Sequence, residues 1–357
     1  MAREDDKYFL YAKEYKEIQL TDGSVPSFRP LYSPDGKEIA YLEDRTTIKV
    51  LNLESKNTRT VLEGKYNYSY SDGDQWFRWS PDSRWILAHY IGIGGWNNRG
   101  VALIKADGSN EVTDLTESGY TDSAPRFIQD GKAMLWFSDR AGYRSHGSWG
   151  AQDDAYVMFF DRSAYDKFRM NKEELALLKE ESDAKEKEKA KDKDKDKTKA
   201  KAKAKAKKDK KSIEPLKFDL KNRKDMVIRL TPNSSFLTDA YLNKKGEKLY
   251  YITPFEKGYD LWEHNLKDKS SKILAKDVGA SMIQVDSTEN NILLLSKGTI
   301  KKISLNKGET KVVGIKAEFD YQPSAERQYM YDHIWRQIKD KFYVKDLHYV
   351  DWDMYHT

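Results

Sequence analysis

Apolar residues along most of this chain fall in short runs of strand length, separated by polar turns. Ile39-Ala40-Tyr41, Trp85-Ile86-Leu87-Ala88, Val101-Ala102-Leu103-Ile104, Ala133-Met134-Leu135-Trp136-Phe137 and Ala155-Tyr156-Val157-Met158-Phe159-Phe160 are too short for helices and suit strands. Ile48 and Val50 alternate with polar neighbours in another run, and Ala106-Asp107-Gly108-Ser109-Asn110 has the turn chemistry that closes a hairpin. A turn signal before many of these runs recurs. Ser33-Pro34-Asp35-Gly36, Ser80-Pro81-Asp82-Ser83, Gln129-Asp130-Gly131, Asn243-Lys244-Lys245-Gly246 and Ser287-Thr288-Glu289-Asn290 place turn starts at 33, 80, 128, 243 and 287. The spacings are 47, 48, 115 and 44, so one repeat is enlarged by an insertion. A second marker keeps step: Leu20-Thr21, Leu115-Thr116 and Leu230-Thr231 each lie 13 residues before a turn start.

Four short strands in about 45 residues make one blade of a β-propeller. A blade cannot bury both of its faces alone, so blades must stack radially around a channel. The fold class predicted is therefore all-β, with about five propeller blades, either closed as a ring of five or, as the ragged start suggests, cut from a larger ring. Residues 1–20 read as the remnant of a preceding blade, 21–168 and 213–315 as blades, and 169–212 as a charged low-complexity insertion. Residues 316–357 change character. Pro323-Ser324 opens a helix whose Tyr331, Ile334, Ile338 and Phe342 share one face, with Trp335 beside them. That uncovered stripe predicts the start of a truncated, larger helical subdomain.

Charge sharpens this division. The net formal charge is +5, but Asp183–Lys211 holds 15 Lys against 7 acidic residues, leaving 48 basic and 51 acidic groups elsewhere. The basicity belongs to the insertion, which has no aromatic residue and alternates Lys with Glu, Asp and Ala. Such a stretch predicts a solvated, mobile segment or frayed helix rather than a nucleic-acid-binding face. Its lead-in does read as a helix, because Asn171 and Glu174 have capping-box spacing. The chain has no cysteine, which excludes thiolate chemistry, disulfides and Cys-ligated metal. No apolar run approaches the ~18 residues that span a bilayer, and the first residues lack a secretory h-region. No membrane partner is expected, and the location expected is cytoplasmic, with a periplasmic one as the alternative had a signal preceded this segment.

Direct chemistry is sparse. There is no G-x-S-x-G, P-loop or H-E-x-x-H sequence. The six histidines are scattered, so no metal site and no cofactor are expected. Ser145-His146 would suggest a nucleophile and base, but neighbours on an extended chain point to opposite faces. Asp72-Gly73-Asp74 supplies too few oxygens for Ca²⁺ and reads as turn chemistry, and Gly92-Ile93-Gly94-Gly95 reads as a loop. No catalytic residue is assigned. The candidate substrate-binding residues are Arg78 and Arg126, each two residues before a turn start and so equivalent on the channel-lining strands of adjacent blades. Their guanidinium groups suit a peptide carboxylate; the alternative is a salt bridge to an Asp of the next blade.

The turn and Leu-Thr markers resemble propellers of the TolB and tricorn-protease type. Ser138-Asp139-Arg140-Ala141-Gly142, then Asp154-Ala155-Tyr156-Val157-Met158, is similar to a blade signature of that group, interrupted here by a polar insert from Ser145 to Gln152. His333–Tyr343, followed by Val350-Asp351-Trp352 and Tyr355, resembles the helical entry to the first catalytic subdomain of tricorn-like serine peptidases. The resemblance implies a seven-bladed propeller, of which this chain is short by one or two blades, that gates short peptides toward a serine nucleophile outside this sequence, in a homo-oligomer. The alternative is a stand-alone TolB-like module that binds a protein or peptide without catalysis.

Overall fold

The computed structural model describes residues 16–93, 95–144, 150–193, 214–255, 257–279, 281–316, 318 and 320–356, with backbone alone over 184–193. Ser145 and His146, most of residues 1–20 and the Lys-rich stretch 194–213 lie outside the described residues. The chain divides into two compact units, one through Val312 and one from Val313 to the end.

The first unit contains five four-stranded antiparallel sheets, each a meander in sequence order. The first blade is β1 (Ser27–Tyr32), β2 (Glu38–Glu43), β3 (Thr47–Asn52) and β4 (Thr58–Leu62). The second is β5 (Phe77–Trp79), β6 (Trp85–Tyr90), β7 (Gly100–Lys105) and β8 (Val112–Asp114). The third is β9 (Asp122–Ile128), β10 (Ala133–Ser138), β11 (Asp154–Phe159) and β12 (Val227–Arg229), so the charged insertion lies between its last two strands. The fourth is β13 (Asp239–Leu242), β14 (Lys248–Thr253), β15 (Asp260–Asn265) and β16 (Ser271–Ala275). The fifth is β17 (Gln284–Val285), β18 (Asn291–Ser296), β19 (Thr299–Ser304) and β20 (Thr310–Val313).

Both sequence markers have a physical cause. At the repeated turn, Ser33, Ser80, Asn243 and Asp286 donate their backbone N–H to the carbonyls of Glu38, Trp85, Lys248 and Asn291 at 2.7–3.1 Å. The side chains of Ser33, Ser80 and Asn243 also accept from the N–H of Glu38, Trp85 and Lys248 at 2.9–3.0 Å. The fifth turn therefore starts at Asp286, one residue before the Ser287 read from sequence. In the Leu-Thr marker, Leu115 and Leu230 donate to the carbonyls of Val101 and Ala155 at 2.8 Å. Thr116 and Thr231 accept at Oγ1 from the N–H of the same two residues, at 3.1 and 3.3 Å. Leu115 and Leu230 are buried, and Thr116 and Thr231 fasten the outer strand to its neighbour, whereas Leu20 of the first Leu-Thr pair is exposed.

Alternate residues of each second strand point to opposite faces, and here both faces are apolar. Ala40 and Leu42 pack against Ile86 and Ala88 in the core between the first two blades. Leu87 packs with Met134 and Trp136 between the second and third. Leu135 and Phe137 meet Leu249 and Tyr251 between the third and fourth. Tyr250 and Ile252 meet Ile292 and Leu294 between the fourth and fifth. Among the described residues, five blades thus share four interblade cores. On the fifth blade, Leu293, Leu295 and Ile300 line an open apolar hollow of about 600 Å³.

Among the described residues, two α-helices follow β11. The first, α1 (Arg162–Arg169), was not foreseen from sequence; it is capped by Asp161, which accepts from Ala164 N–H, and buries Tyr165 against Phe159. The second, α2 (Lys172–Lys193), opens with the expected capping box: Glu174 N–H donates to Asn171 Oδ1 at 2.9 Å and Asn171 N–H to Glu174 Oε2 at 2.8 Å.

The second unit is one helix, α3 (Pro323–Lys341), with the following segment folded back along it. Trp335 and Trp352 stack at 6.5 Å and each indole N–H donates to the other's carbonyl at 3.2 Å. Tyr331 Oη donates to Tyr355 O at 2.6 Å. The predicted stripe of Tyr331, Ile334, Ile338 and Phe342 is exposed.

Ile252 and Leu295 hold equivalent positions in successive blades, one fully covered by the next blade and one 66% exposed. Ile252→Ala should cost about 2–5 kcal/mol in urea unfolding, whereas Leu295→Ala should change stability by no more than about 0.5 kcal/mol.

Candidate functional site

The first strand of each blade lines the channel. Arg78 on β5 pairs across its ladder with Leu87, and Arg126 on β9 pairs with Leu135. Leu87 and Leu135 both face the following blade, so the two arginines are equivalent in the repeat, as their spacing predicts. Their surroundings differ. Arg126 donates Nη2 to Asp239 Oδ1 at 2.6 Å and Nη1 to Ala240 O at 3.3 Å, both on the inner strand of the next blade. Asp239 is buried and fixed further by the N–H groups of Ala240 and Ile283, at 2.8 and 2.7 Å. This is the interblade salt bridge.

Among the described residues, Arg78 has no such partner. The third blade carries Ser123 opposite Phe137, where the fourth carries Asp239 opposite Ile252. Serine cannot neutralise a guanidinium, and the hydrogen bond shown for Arg78 runs from Nη1 to its own neighbour's carbonyl, Phe77 O, at 3.2 Å. The guanidinium lies over the ring of Trp76 at 4.1 Å. Burial, then repulsion from Arg29 and Arg126, pushes its pKa down to about 10, so it stays charged at neutral pH.

A third arginine joins this group that spacing alone did not reveal. Arg29 sits where β1 slips register between Phe28 and Leu31 and takes a left-handed backbone, φ 54°. Such a bulge re-aims a side chain. Arg29 donates Nη1 to Gly73 O at 3.3 Å and lies 4.7 Å from the centre of the Trp76 ring. Trp76 thus contacts two guanidinium groups, and its indole N–H donates to Pro125 O at 2.9 Å, tying the second blade to the third. Beneath it, His89 is fully buried and held neutral by burial and by Arg99 and Arg29. The arrangement is a positive, partly desolvated cluster of guanidinium groups around one indole ring, chemistry that suits a carboxylate.

The blade signature serves structure instead. Asp122 accepts from Trp136 Nε1 at 3.0 Å and Arg140 Nη2 at 3.1 Å. Asp139 accepts from Thr121 N–H at 3.0 Å and Arg144 Nε at 3.2 Å. Asp154 accepts from Thr231 and Ser234 hydroxyls at 2.6 and 2.7 Å and pairs with Arg229 at 2.8 Å. The Asp72–Asp74 segment is likewise turn chemistry: Asp74 Oδ2 accepts from Tyr70 and Ser71 N–H at 2.7 and 3.1 Å, and Asp72 pairs with Arg45.

Three comparisons bear on this architecture. The model of the tricorn protease C1 domain matches residues 323–357, the unit built on α3. The tricorn protease homolog of Saccharolobus solfataricus is 24% identical over 139 residues, 39% of this chain and 12% of that protein. The crystal structure of the tricorn protease superposes with a TM-score of 0.59 at 14% identity, over 90% of this chain and 29% of that one. The chain is tricorn-like. It combines a propeller portion with the segment that matches the C1 model, and it spans under a third of the tricorn structure's length. TolB from Acinetobacter baumannii has a TM-score of 0.47 at 16% identity, over 84% of this chain and 57% of that one. Among the described residues of this tricorn-like chain, no helix is long and apolar enough to cross a membrane.

The acidic cluster beside the signature makes one group titrate near neutrality. Burial, then Asp139, Asp154 and Asp122, pushes the Asp153 carboxyl from 3.8 up to about 7. The folded state therefore retains a proton that the unfolded chain sheds above about pH 4, and stability falls as pH rises from about 4 to 7. Asp153→Asn should raise the urea midpoint at pH 8 and leave it unchanged near pH 4. An equal change at both pH values would contradict this assignment.

Proposed function

We propose that this chain is the substrate-admitting portion of a tricorn-like serine peptidase, and that its channel recess receives the terminal carboxylate of a short peptide. The observation that carries the proposal is Arg78. It is charged, half-buried and, among the described residues, without a carboxylate partner, while its equivalent Arg126 is neutralised by Asp239. A carboxylate between Arg78 and Arg29 would replace lost hydration with charge-assisted bonds and relieve the repulsion that depresses the Arg78 pKa. Arg126, the other residue singled out by spacing, then acts mainly as the strut that fixes the next blade.

The tricorn likeness supplies the rest of the reading. Hydrolysis would be performed by a serine nucleophile and a histidine base outside this sequence, with the α3 unit opening the catalytic half. No residue of this chain is assigned a role in bond cleavage. A homo-oligomer belongs to the same proposal, since the tricorn likeness implies assembly.

The test is fluorescence anisotropy with a labelled tetrapeptide bearing a free or an amidated C-terminus. The free acid should bind at least about 10-fold more tightly, the scale of one or two hydrogen bonds between charged groups. Arg78→Gln should abolish that difference without altering the unfolding free energy by more than about 1 kcal/mol. Equal binding of acid and amide, or an unaltered preference in Arg78→Gln, would overturn the clamp and favour a non-catalytic binding module.

A further inference from the structure

The connection from β4 to β5 and the connection from β6 to β7 emerge at the same end of the second blade, opposite its Ser80 turn. They bring together Tyr68, Tyr70 and Trp96. Ring centroids are 4.9 Å apart for Tyr68–Tyr70, 5.3 Å for Tyr68–Trp96 and 6.0 Å for Tyr70–Trp96. Despite these mutual contacts, the rings remain 47%, 58% and 48% exposed. Three large rings that meet yet keep about half their surface in water form the kind of anchor site that dominates recognition.

The loop bearing the two tyrosines is rigidly built. Gln75, almost wholly buried, donates to Tyr68 O and to Asp74 Oδ1, the latter at 3.0 Å. Asp74 Oδ2 accepts from the Tyr70 and Ser71 N–H groups, and Arg45 Nη2 holds Ser69 O at 3.1 Å. The rings are thus presented before any ligand arrives, which lowers the ordering cost of binding. The same loop reaches the arginine recess within a few residues: Gly73 O accepts from Arg29, and Trp76, where the loop ends, lies against both Arg29 and Arg78.

We infer that Tyr68, Tyr70 and Trp96 form a side-chain subsite at the channel mouth, which receives a large apolar or aromatic side chain of the peptide whose carboxylate enters the arginine recess. The inference rests on the carboxylate-clamp reading and adds a selectivity that the clamp alone does not give. Charge complementarity selects a free acid, the aromatic surface selects an apolar neighbour, and one short loop couples the two.

The experiment is a scan of labelled free-acid tetra-alanine peptides with Phe placed at each position in turn, measured on the full chain. One Phe position should bind at least 10-fold more tightly than tetra-alanine. Trp96→Ala should bring that peptide back to the tetra-alanine level while keeping the preference for free acid over amide. Tyr70→Ser, which alters the cluster from the other loop, should act in the same direction. If no Phe position gains affinity, or if the gain survives in both variants, the subsite is overturned even when the acid preference persists. If the Phe gain is lost in both variants while acid and amide bind alike, the aromatic subsite stands and the carboxylate clamp falls.

Discussion

Every four-stranded sheet of this chain is apolar on both faces, and that constraint organises the rest. A sheet with one wet face can stand alone on a layer of helix; a sheet such as β5–β8, with Ile86 and Ala88 on one side and Leu87 and Leu103 on the other, must be covered twice. Radial stacking is the arrangement that achieves this repeatedly, and it gathers the first strands of successive blades around a channel. The positions of Arg29, Arg78 and Arg126 follow from that geometry. The open face carrying Leu293 and Leu295 on the fifth blade is the same rule seen at the edge of the described arc.

The channel chemistry depends on small departures from the repeat. Equivalent positions in adjacent blades hold Arg78 and Arg126, yet the residue each meets on the next blade differs: Ser123 for one, Asp239 for the other. One guanidinium becomes a strut, and its twin lies over Trp76 with no carboxylate partner among the described residues. The bulge in β1 brings Arg29 to the same indole. None of this requires a special fold, only one exchanged residue and one slipped register within a regular array.

Much of the architecture was legible in the sequence because the repeats are enforced by hydrogen bonds that only a few side chains can make. Ser33, Ser80 and Asn243 are found at turn starts because their oxygens accept backbone N–H groups there, and Leu115-Thr116 and Leu230-Thr231 recur because they fasten outer strands. The fifth turn was misplaced by one residue because Asp286 fills the role that Ser287 resembles by letter. The α1 helix was missed because it is only two turns long, so that Ala164, Tyr165 and Phe168, which do share its packed face, are too few to set apart a helical period. At the candidate site, spacing found Arg78 and Arg126 but not their unequal partners, which depend on ladder register across blades. Arg29 was hidden by its bulge, and Tyr68, Tyr70 and Trp96 by a contact between two loops that no local pattern encodes.

The proposed function turns on Arg78, partly desolvated and without a carboxylate partner among the described residues, as the receptor for a peptide carboxylate. The most direct measurement is a crystal structure of the full chain bound to a free-acid tetrapeptide. The account predicts the terminal carboxylate within hydrogen-bonding distance of Arg78 and Arg29, beside the Trp76 ring, with the Arg126–Asp239 pair intact. A peptide bound elsewhere, with the recess around Arg78 holding no carboxylate, would contradict it.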